Sequence, residues 1–453
     1  MTPTIYPALL GHGTERLACQ DPTLYAILER EYQRQSQVLT LVASSSVVDP
    51  SVLSCTASVA VNVTAEGYPG RRYHAGCVEV DKIEQLAIDR AKVLFGAQFA
   101  NVQPHSASSA NEIVMASALK PGDTILGMAL NAGGHLTHGA KVSFSGIVYN
   151  AIGYGVGNNG MIDYQEIRRL ALLYRPKLII CGTTAYPRVL DFARFRAIAD
   201  DVGAKLLADI SHIAGLVVTG IHPSPINHAH FTTTCTHKQL YGPRGGLILM
   251  GRDHNTIDSD DRCTLSESVQ KAVFPRTQGA PILNNIAGKA RAFAIASTPA
   301  FHELAARILR CAQALAETLK GRGYDIVTGG TDNHMVIVDV LRSRGITGVV
   351  AEQGLEACDI VVNKNRIAGD NKSASIASGI RLGTNTLAAR GFESDDVAVC
   401  AALVDRVLSS ITPISDREFY LDPRVQAEVR AEVHTLCAAL PIGVYAGQVL
   451  PSN

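Results

Sequence analysis

From Thr124 to Met250 the chain alternates short apolar runs with helical segments. Thr124–Met128, 177–181, Lys205–Asp209 and Gly246–Met250 read as strands, and 163–174 and 193–202 carry apolar residues at helical spacing. Strands separated in this way are joined by crossover helices, so the rhythm predicts an α/β fold built on a mostly parallel sheet.

One stretch inside this region carries chemistry: Thr232-Thr233-Thr234-Cys235-Thr236-His237-Lys238. Its four threonines favour extended backbone, and a Gly/Pro-rich turn follows the lysine. A lysine at a strand end is presented into a cleft, where burial lowers its pKa and lets its amine condense with an aldehyde. Upstream, Lys205–Asp209 ends in a carboxylate, followed by Ser211 and His212. If the two runs are neighbouring strands, Asp209 and Lys238 share one edge of the sheet. That arrangement fits a salt-bridged strand end. It also fits a pyridoxal phosphate (PLP) site, which needs a lysine for its aldehyde and an acid for its pyridine nitrogen.

At 453 residues the chain is long enough for two domains. Lys+Arg and Asp+Glu number 41 each, so no net field favours nucleic acid or an acidic membrane. The ten cysteines show no CxxC pair and no metal-like Cys/His cluster, which points to reduced thiols, no metal and a cytoplasmic protein. Residues 1–13 lack a secretion signal, and no run is long and apolar enough to span a membrane. Residues 1–23 read as irregular, whereas 21–35, 79–95 and 301–321 read as helices. Beyond 321, strands are expected at 325–327, 334–340 and 360–363, with closing helices at 396–411 and 424–440.

The motifs AEGYPGRRYHAGC, NVQPHSASSAN, GGHLTHG, ADISHIAGL, THKQLYGPRGGLIL and SGIRLGT follow one another along the chain. Together they resemble serine hydroxymethyltransferase over about residues 24 to 440. The resemblance implies PLP fold type I: an N-terminal arm (1–45) that wraps the partner subunit, a large PLP-binding domain (46–295) and a small C-terminal α/β domain (296–453). It implies that Lys238 forms the Schiff base, Asp209 meets the ring nitrogen, His135 stacks on the ring, and Thr184 and His212 make further contacts, with His237 and Arg244 flanking the lysine. Ser106, Ala107 and Ser108 match the phosphate loop. Small hydroxyl residues before a helix are often only caps, but at a helix N-terminus they also offer donors to an anion. Gly279 matches a phosphate contact reaching in from the neighbouring subunit. Arg381 and Ser44 match the groups that hold the substrate carboxylate, a task suited to a planar guanidinium. Glu66 matches the acid–base glutamate, with Tyr73 beside it, and Glu66, Leu130, Gly134 and Asn365 match contacts to tetrahydrofolate. No metal is implied.

Several motif positions depart from the family. Ser45 and Ser46 replace Glu-Asn, Thr64 replaces a tyrosine two residues before Glu66, and His74 replaces the second tyrosine of Arg-Tyr-Tyr. Arg276, Thr277 and Ala280 interrupt a glycine-rich loop, and 366–375 lacks the family's prolines, so less order is expected there. Thr64 opens space near the substrate Cα, and His74 puts an imidazole where the family has a phenol. The expected activity is reversible cleavage of the Cα–Cβ bond of serine or α-methylserine, giving glycine or D-alanine and a one-carbon unit, in a homodimer or tetramer. The alternatives are a threonine transaldolase, an amino-acid oxygenase-decarboxylase on the same scaffold, or a silent regulatory homologue.

Overall fold

The alternation of strands and helices closes into one seven-stranded sheet in a computed structural model that describes residues 5–257 and 262–445. Its strands are β1 (Phe99–Asn101), β2 (Thr124–Met128), β3 (Asn150–Tyr154), β4 (Leu178–Gly182), β5 (Lys205–Asp209), β6 (Phe231–Cys235) and β7 (Gly246–Met250), in the spatial order β1-β7-β6-β5-β4-β2-β3. Every pairing is parallel except the two made by β7. β7 is antiparallel because it follows β6 through the short Gly/Pro turn, and so short a link permits only a hairpin. The sequence had not marked β1 or β3 as strands.

Crossover helices bury both faces, as a parallel sheet requires. β4 and β6 are buried along their whole length. Two of its three threonines use their hydroxyls there, while the buried Thr232 Oγ1 finds no partner among the described residues. Thr233 Oγ1 donates to Asn111 Oδ1 at 2.6 Å and Thr234 Oγ1 to the Cys235 carbonyl at 2.9 Å.

The long helix Pro299–Gly321 bridges two apolar cores. Phe301 and Ile308 belong to the core around the large sheet. Cys311, Leu315 and Leu319 pack with a second core, which also takes in Leu39 and Leu41 from the N-terminal region. This second core covers a four-stranded sheet of β8 (Asp325–Ile326), β9 (Met335–Asp339), β10 (Asn363–Asn365) and β11 (Gly379–Gly383), in the order β8-β9-β11-β10. The closing helices run Ser394–Ser410 and Pro423–Ala439.

Two expectations need correction. Residues Ile5–Gln20 form a helix rather than irregular chain. Ile360–Val361 leaves the small sheet and pairs with Leu39–Thr40, so only Asn363–Asn365 joins β11. The 366–375 loop is not short of partners. Asp370 accepts from the Lys372 and Ser378 amides and from Ser378 Oγ, and Arg366 donates to the Asp370 carbonyl. Among the described residues no helix is long and apolar enough to cross a membrane, and no three His, Cys, Asp or Glu side chains are grouped to hold a metal.

Candidate active site

The register of β5 and β6 decides where the chemistry sits. Asp209, the last residue of β5, pairs with Thr233 of β6, and Lys238 lies three residues beyond the end of β6. Both groups therefore occupy the C-terminal edge of the parallel strands, the edge at which open α/β sheets bind ligands. Gly182 of β4 pairs with Asp209, which brings Thr184 to the same edge.

Asp209 is 6% exposed and fully hydrogen-bonded. One oxygen accepts from the Ser211 amide at 3.0 Å and from Ser211 Oγ at 2.6 Å, and the other from Asn111 Nδ2 at 2.9 Å and His138 Nε2 at 3.1 Å. Burial alone would push its pKa up. The hydrogen bond and charge of His138, then His135 and Ser211, outweigh burial and hold the carboxyl well below the ordinary range. The site thus contains a buried carboxylate that stays ionised. Asn111 also donates to Thr137 Oγ1 at 2.9 Å, and that hydroxyl lies 2.8 Å from His135 Nδ1, so the imidazole of His135 is tied to Asp209 through side chains. Burial lowers the His135 pKa to about 4.

Lys238 is half-buried. Burial lowers its pKa. Cys235 and Asp209 oppose that shift, while Arg381 and Arg244 reinforce it. Beside it, His237 Nε2 lies 3.3 Å from Arg244 Nη1, its carbonyl accepts from Ser46 Oγ at 2.6 Å, and its buried Nδ1 has no partner among the described residues. Ser106 caps the helix Ala107–Ala118, accepting from the Ser109 amide at 3.0 Å. The capped end presents Ala107 and Ser108 at a helix N-terminus, where anions are favoured.

Arg381 lies in β11, 7% exposed. It donates to the Thr184 carbonyl and, from Nε, to Asn363 Oδ1 at 3.2 Å. Among the described residues no carboxylate pairs with it, and burial brings its pKa down to about 10. A buried guanidinium held only by neutral acceptors is a site for an anion from outside the chain. Ser44 follows Ala43, whose Cα stands 2.3 Å from the point a Cβ on Gly383 would occupy, so this segment runs hard against the end of β11. The Thr184 amide donates to the Gly133 carbonyl at 2.8 Å, which draws the Leu130–Gly134 turn to the same place, while Asn365 continues the strand that carries Asn363.

His212 is stacked on His334, with ring centroids 5.6 Å apart and Nδ1 to Nε2 at 3.4 Å. Burial, then the cations Lys238 and Arg381, hold His212 far below its ordinary pKa. Burial, then the same two cations, bring His334 to about 3. Both rings are neutral.

A second group of expected residues stands apart. Glu66, Tyr73, His74 and Gly279 gather on the surface of the same chain. Glu66 Oε2 lies 3.5 Å from His74 Nε2, and Oε1 lies 3.5 Å from where a Cβ on Gly279 would be. Tyr73 packs edge-on against Phe274 and is 76% exposed; Thr64 is exposed as well. Among the described residues no hydrogen bond or ion pair joins Glu66 or His74 to Lys238, Asp209 or Arg381. Arg276 donates from Nη1 to the Ala116 carbonyl at 2.5 Å, so its charge serves the C-terminal end of a helix.

Sequence reasoning missed Asn111, His138, Asn363 and His334. The first two lie inside motifs it used, SASSAN and GGHLTHG. The signal for His334 was the polar triplet Asp332-Asn333-His334 just before an apolar strand.

The donor set fits pyridoxal phosphate: a capped helix end for the phosphate, an ionised buried acid for the ring nitrogen, a lysine of lowered pKa and an arginine with no carboxylate partner among the described residues. The serine hydroxymethyltransferase family model matches residues 17–404. The chain is 47% identical over 426 residues to a serine hydroxymethyltransferase of Halorhodospira halophila, covering 94% of this chain and 98% of that protein. It is 47% identical over 427 residues to one of Legionella pneumophila, covering 93% and 97%. A third, serine hydroxymethyltransferase 2 of Ralstonia nicotianae, is 47% identical over 430 residues, covering 95% and 98%. With the family model spanning most of the chain and relatives matched nearly end to end, this chain belongs to the serine hydroxymethyltransferase family.

Proposed function

We propose that the protein transfers the hydroxymethyl group of serine, reversibly cleaving the Cα–Cβ bond to leave glycine, with tetrahydrofolate as the one-carbon carrier. The observation that carries this reading is the shared sheet edge of Lys238 and Asp209, with the buried Arg381 bonded to the Thr184 carbonyl at that same edge. Pyridoxal phosphate, when bound, supplies an aldehyde for the amine and an electron sink for the breaking bond. Ser106, Ala107 and Ser108 would hold its phosphate, Asp209 the proton on its ring nitrogen, and His135, Thr184 and His212 its ring and oxygen. Arg381, aided by Ser44, would grip the substrate carboxylate. Neutral His212 can accept or donate a hydrogen bond beside the amino acid. Glu66 would hold or move the proton at the β-hydroxyl oxygen, with Tyr73 and His74 near it. Leu130, Gly134, Asn365 and Glu66 would meet the folate.

The site is completed across a subunit interface in this reading. Glu66, Thr64, His74 and Gly279 are exposed or half-exposed in one protomer, and a second copy of the chain would bring them to Lys238. The division into an arm (1–45), a large domain (46–295) and a small domain (296–453) belongs to the same proposal, as does a cytoplasmic location, favoured by ten free thiols. Exposed Thr64, where the family carries a tyrosine, supports a wider tolerance at Cα that admits α-methylserine and D-alanine.

The test is direct. Purified protein with pyridoxal phosphate, serine and tetrahydrofolate should form glycine, and borohydride reduction followed by peptide mapping should place the pyridoxyl label on Lys238. A label on another lysine, or serine left untouched, would overturn the proposal. Lys238→Ala should lose the label and turnover.

A further inference from the structure

The peptide around Glu66 is held far more firmly than its side chain. Gly67–Tyr68 pairs with Arg71–Arg72 in a tight antiparallel turn. Gly67 has φ +94°, and a Cβ there would stand 2.4 Å from the Arg71 carbonyl oxygen, so only glycine fits. Three consecutive carbonyls are each claimed by a donor. Ala65 O accepts from Arg72 Nη1 at 3.0 Å, Glu66 O from the Tyr73 amide at 3.0 Å, and Gly67 O from Arg72 Nη1 at 2.8 Å and Gln103 Nε2 at 2.9 Å. The Glu66 side chain, by contrast, is 38% exposed, its Oε2 lying 3.5 Å from the His74 ring.

The donors are themselves locked. The Arg72 side chain is 3% exposed; its Nε donates to Asp81 at 2.7 Å and its Nη2 to the buried Glu84 at 2.6 Å. The other Glu84 oxygen accepts from Gln103 Nε2 at 2.7 Å, which closes a ring through Arg72, Gly67 O, Gln103 and Glu84. A buried ion pair of this kind adds little stability over apolar packing; its best-attested use is to specify one arrangement. Here it specifies the backbone on both sides of one half-exposed carboxylate.

We propose that Arg72 and Gln103 are positioning residues for Glu66, fixing the peptides that flank it so that its carboxylate is delivered to a single point. The proposal rests on the reading of Glu66 as the proton-handling group. Asp81 and Glu84 serve it by holding Arg72.

The experiment is a double-mutant cycle on the holoenzyme in the tetrahydrofolate-dependent serine reaction. Gln103→Met keeps volume but loses the Gly67 and Glu84 bonds; Arg72→Lys keeps charge but loses the fork. Each should lower kcat about tenfold, with KM for serine and cofactor content near wild type. In a Glu66→Gln background the same changes should cost less than twofold, because the group they position has lost its function. A cost equal in both backgrounds would overturn the proposal while leaving Glu66's role standing. Wild-type turnover in Glu66→Gln alone would overturn the reading of Glu66, and the positioning proposal with it. Gln103→Met and Arg72→Lys turning over like wild type would reject the proposal directly.

Discussion

His334 is fully buried between the ring of His212 and two cations, and that environment sets its protonation. Burial, reinforced by Arg381 and Lys238, brings its folded pKa to about 3, whereas a histidine in the unfolded chain titrates at about 6.5. Between those values the unfolded state binds a proton that the native state refuses. Stability therefore falls as the pH drops below about 6.5, by up to ~1.4 kcal/mol per pH unit for this one group, and is independent of it above that pH. His334→Gln removes the titration and keeps a polar side chain. Thermal melts at pH 7, 6 and 5 should show a shallower loss of Tm in the variant than in wild type; parallel curves would refute the neutral buried imidazole. Lys238 and Asp209 were legible in the sequence because a strand end fixes where each points. His334 was not, because its partner lies 122 residues away and meets it only when the small sheet docks. Asn111 and His138 were hidden differently: their motifs were visible, but only the packed sheet shows that they converge on one carboxylate.

Among the elements, β7 and the helix Ala107–Ala118 meet with almost no clearance. A Cβ on Gly246, the first residue of β7, would stand 2.1 Å from the Ser106 carbonyl oxygen, and backbone cannot swing aside as a flexible side chain can. Gly246→Ala should therefore displace the Ser106 cap and weaken pyridoxal phosphate retention by roughly tenfold, about 1.4 kcal/mol, with the fold kept. Equilibrium dialysis of the cofactor, paired with circular dichroism, checks this; unchanged affinity would move the phosphate cradle away from Ser106. The core strands and long amphipathic helices were readable because their apolar periodicity reports burial. Ile5–Gln20 was not, since Pro7, Gly11 and Gly13 depress helix propensity. It is helical nonetheless: Pro7 falls in the first turn, where its missing N–H costs nothing, and the helix packs on Pro22–Gln37. The edge strand Asn150–Tyr154 was masked by Asn150 and Gly153, and its pairing to β2 supplies what its own sequence does not.

At the scale of the molecule, the proposed site falls in two parts within one protomer, a buried one at Lys238 and an exposed one at Glu66. Apolar surface is exposed as well: Val59, Val61 and Tyr73, and Tyr6, Leu9, Leu24, Ile27 and Leu28 on the N-terminal helices. A symmetric dimer would cover such surface and join the two parts. Sedimentation should find at least a dimer at assay concentration, and an active monomer would count against it. The same geometry gives Thr64 its meaning. It lies two residues before Glu66 on the exposed part, so in the dimer its side chain would face the partner's cleft. A tyrosine there would fill the space beside the substrate Cα and leave room for a hydrogen alone. Threonine in the proposed dimer would leave room for a methyl group, whose burial is worth on the order of 1 kcal/mol, roughly fivefold in kcat/KM. α-Methylserine should therefore turn over at a rate comparable to serine. Thr64→Tyr should suppress the α-methyl substrate at least about fivefold more than serine, which has no methyl group to lose room for. If α-methylserine neither binds nor reacts while serine with tetrahydrofolate turns over briskly, Thr64 is a neutral replacement, and the enzyme's specificity is that of serine and glycine alone.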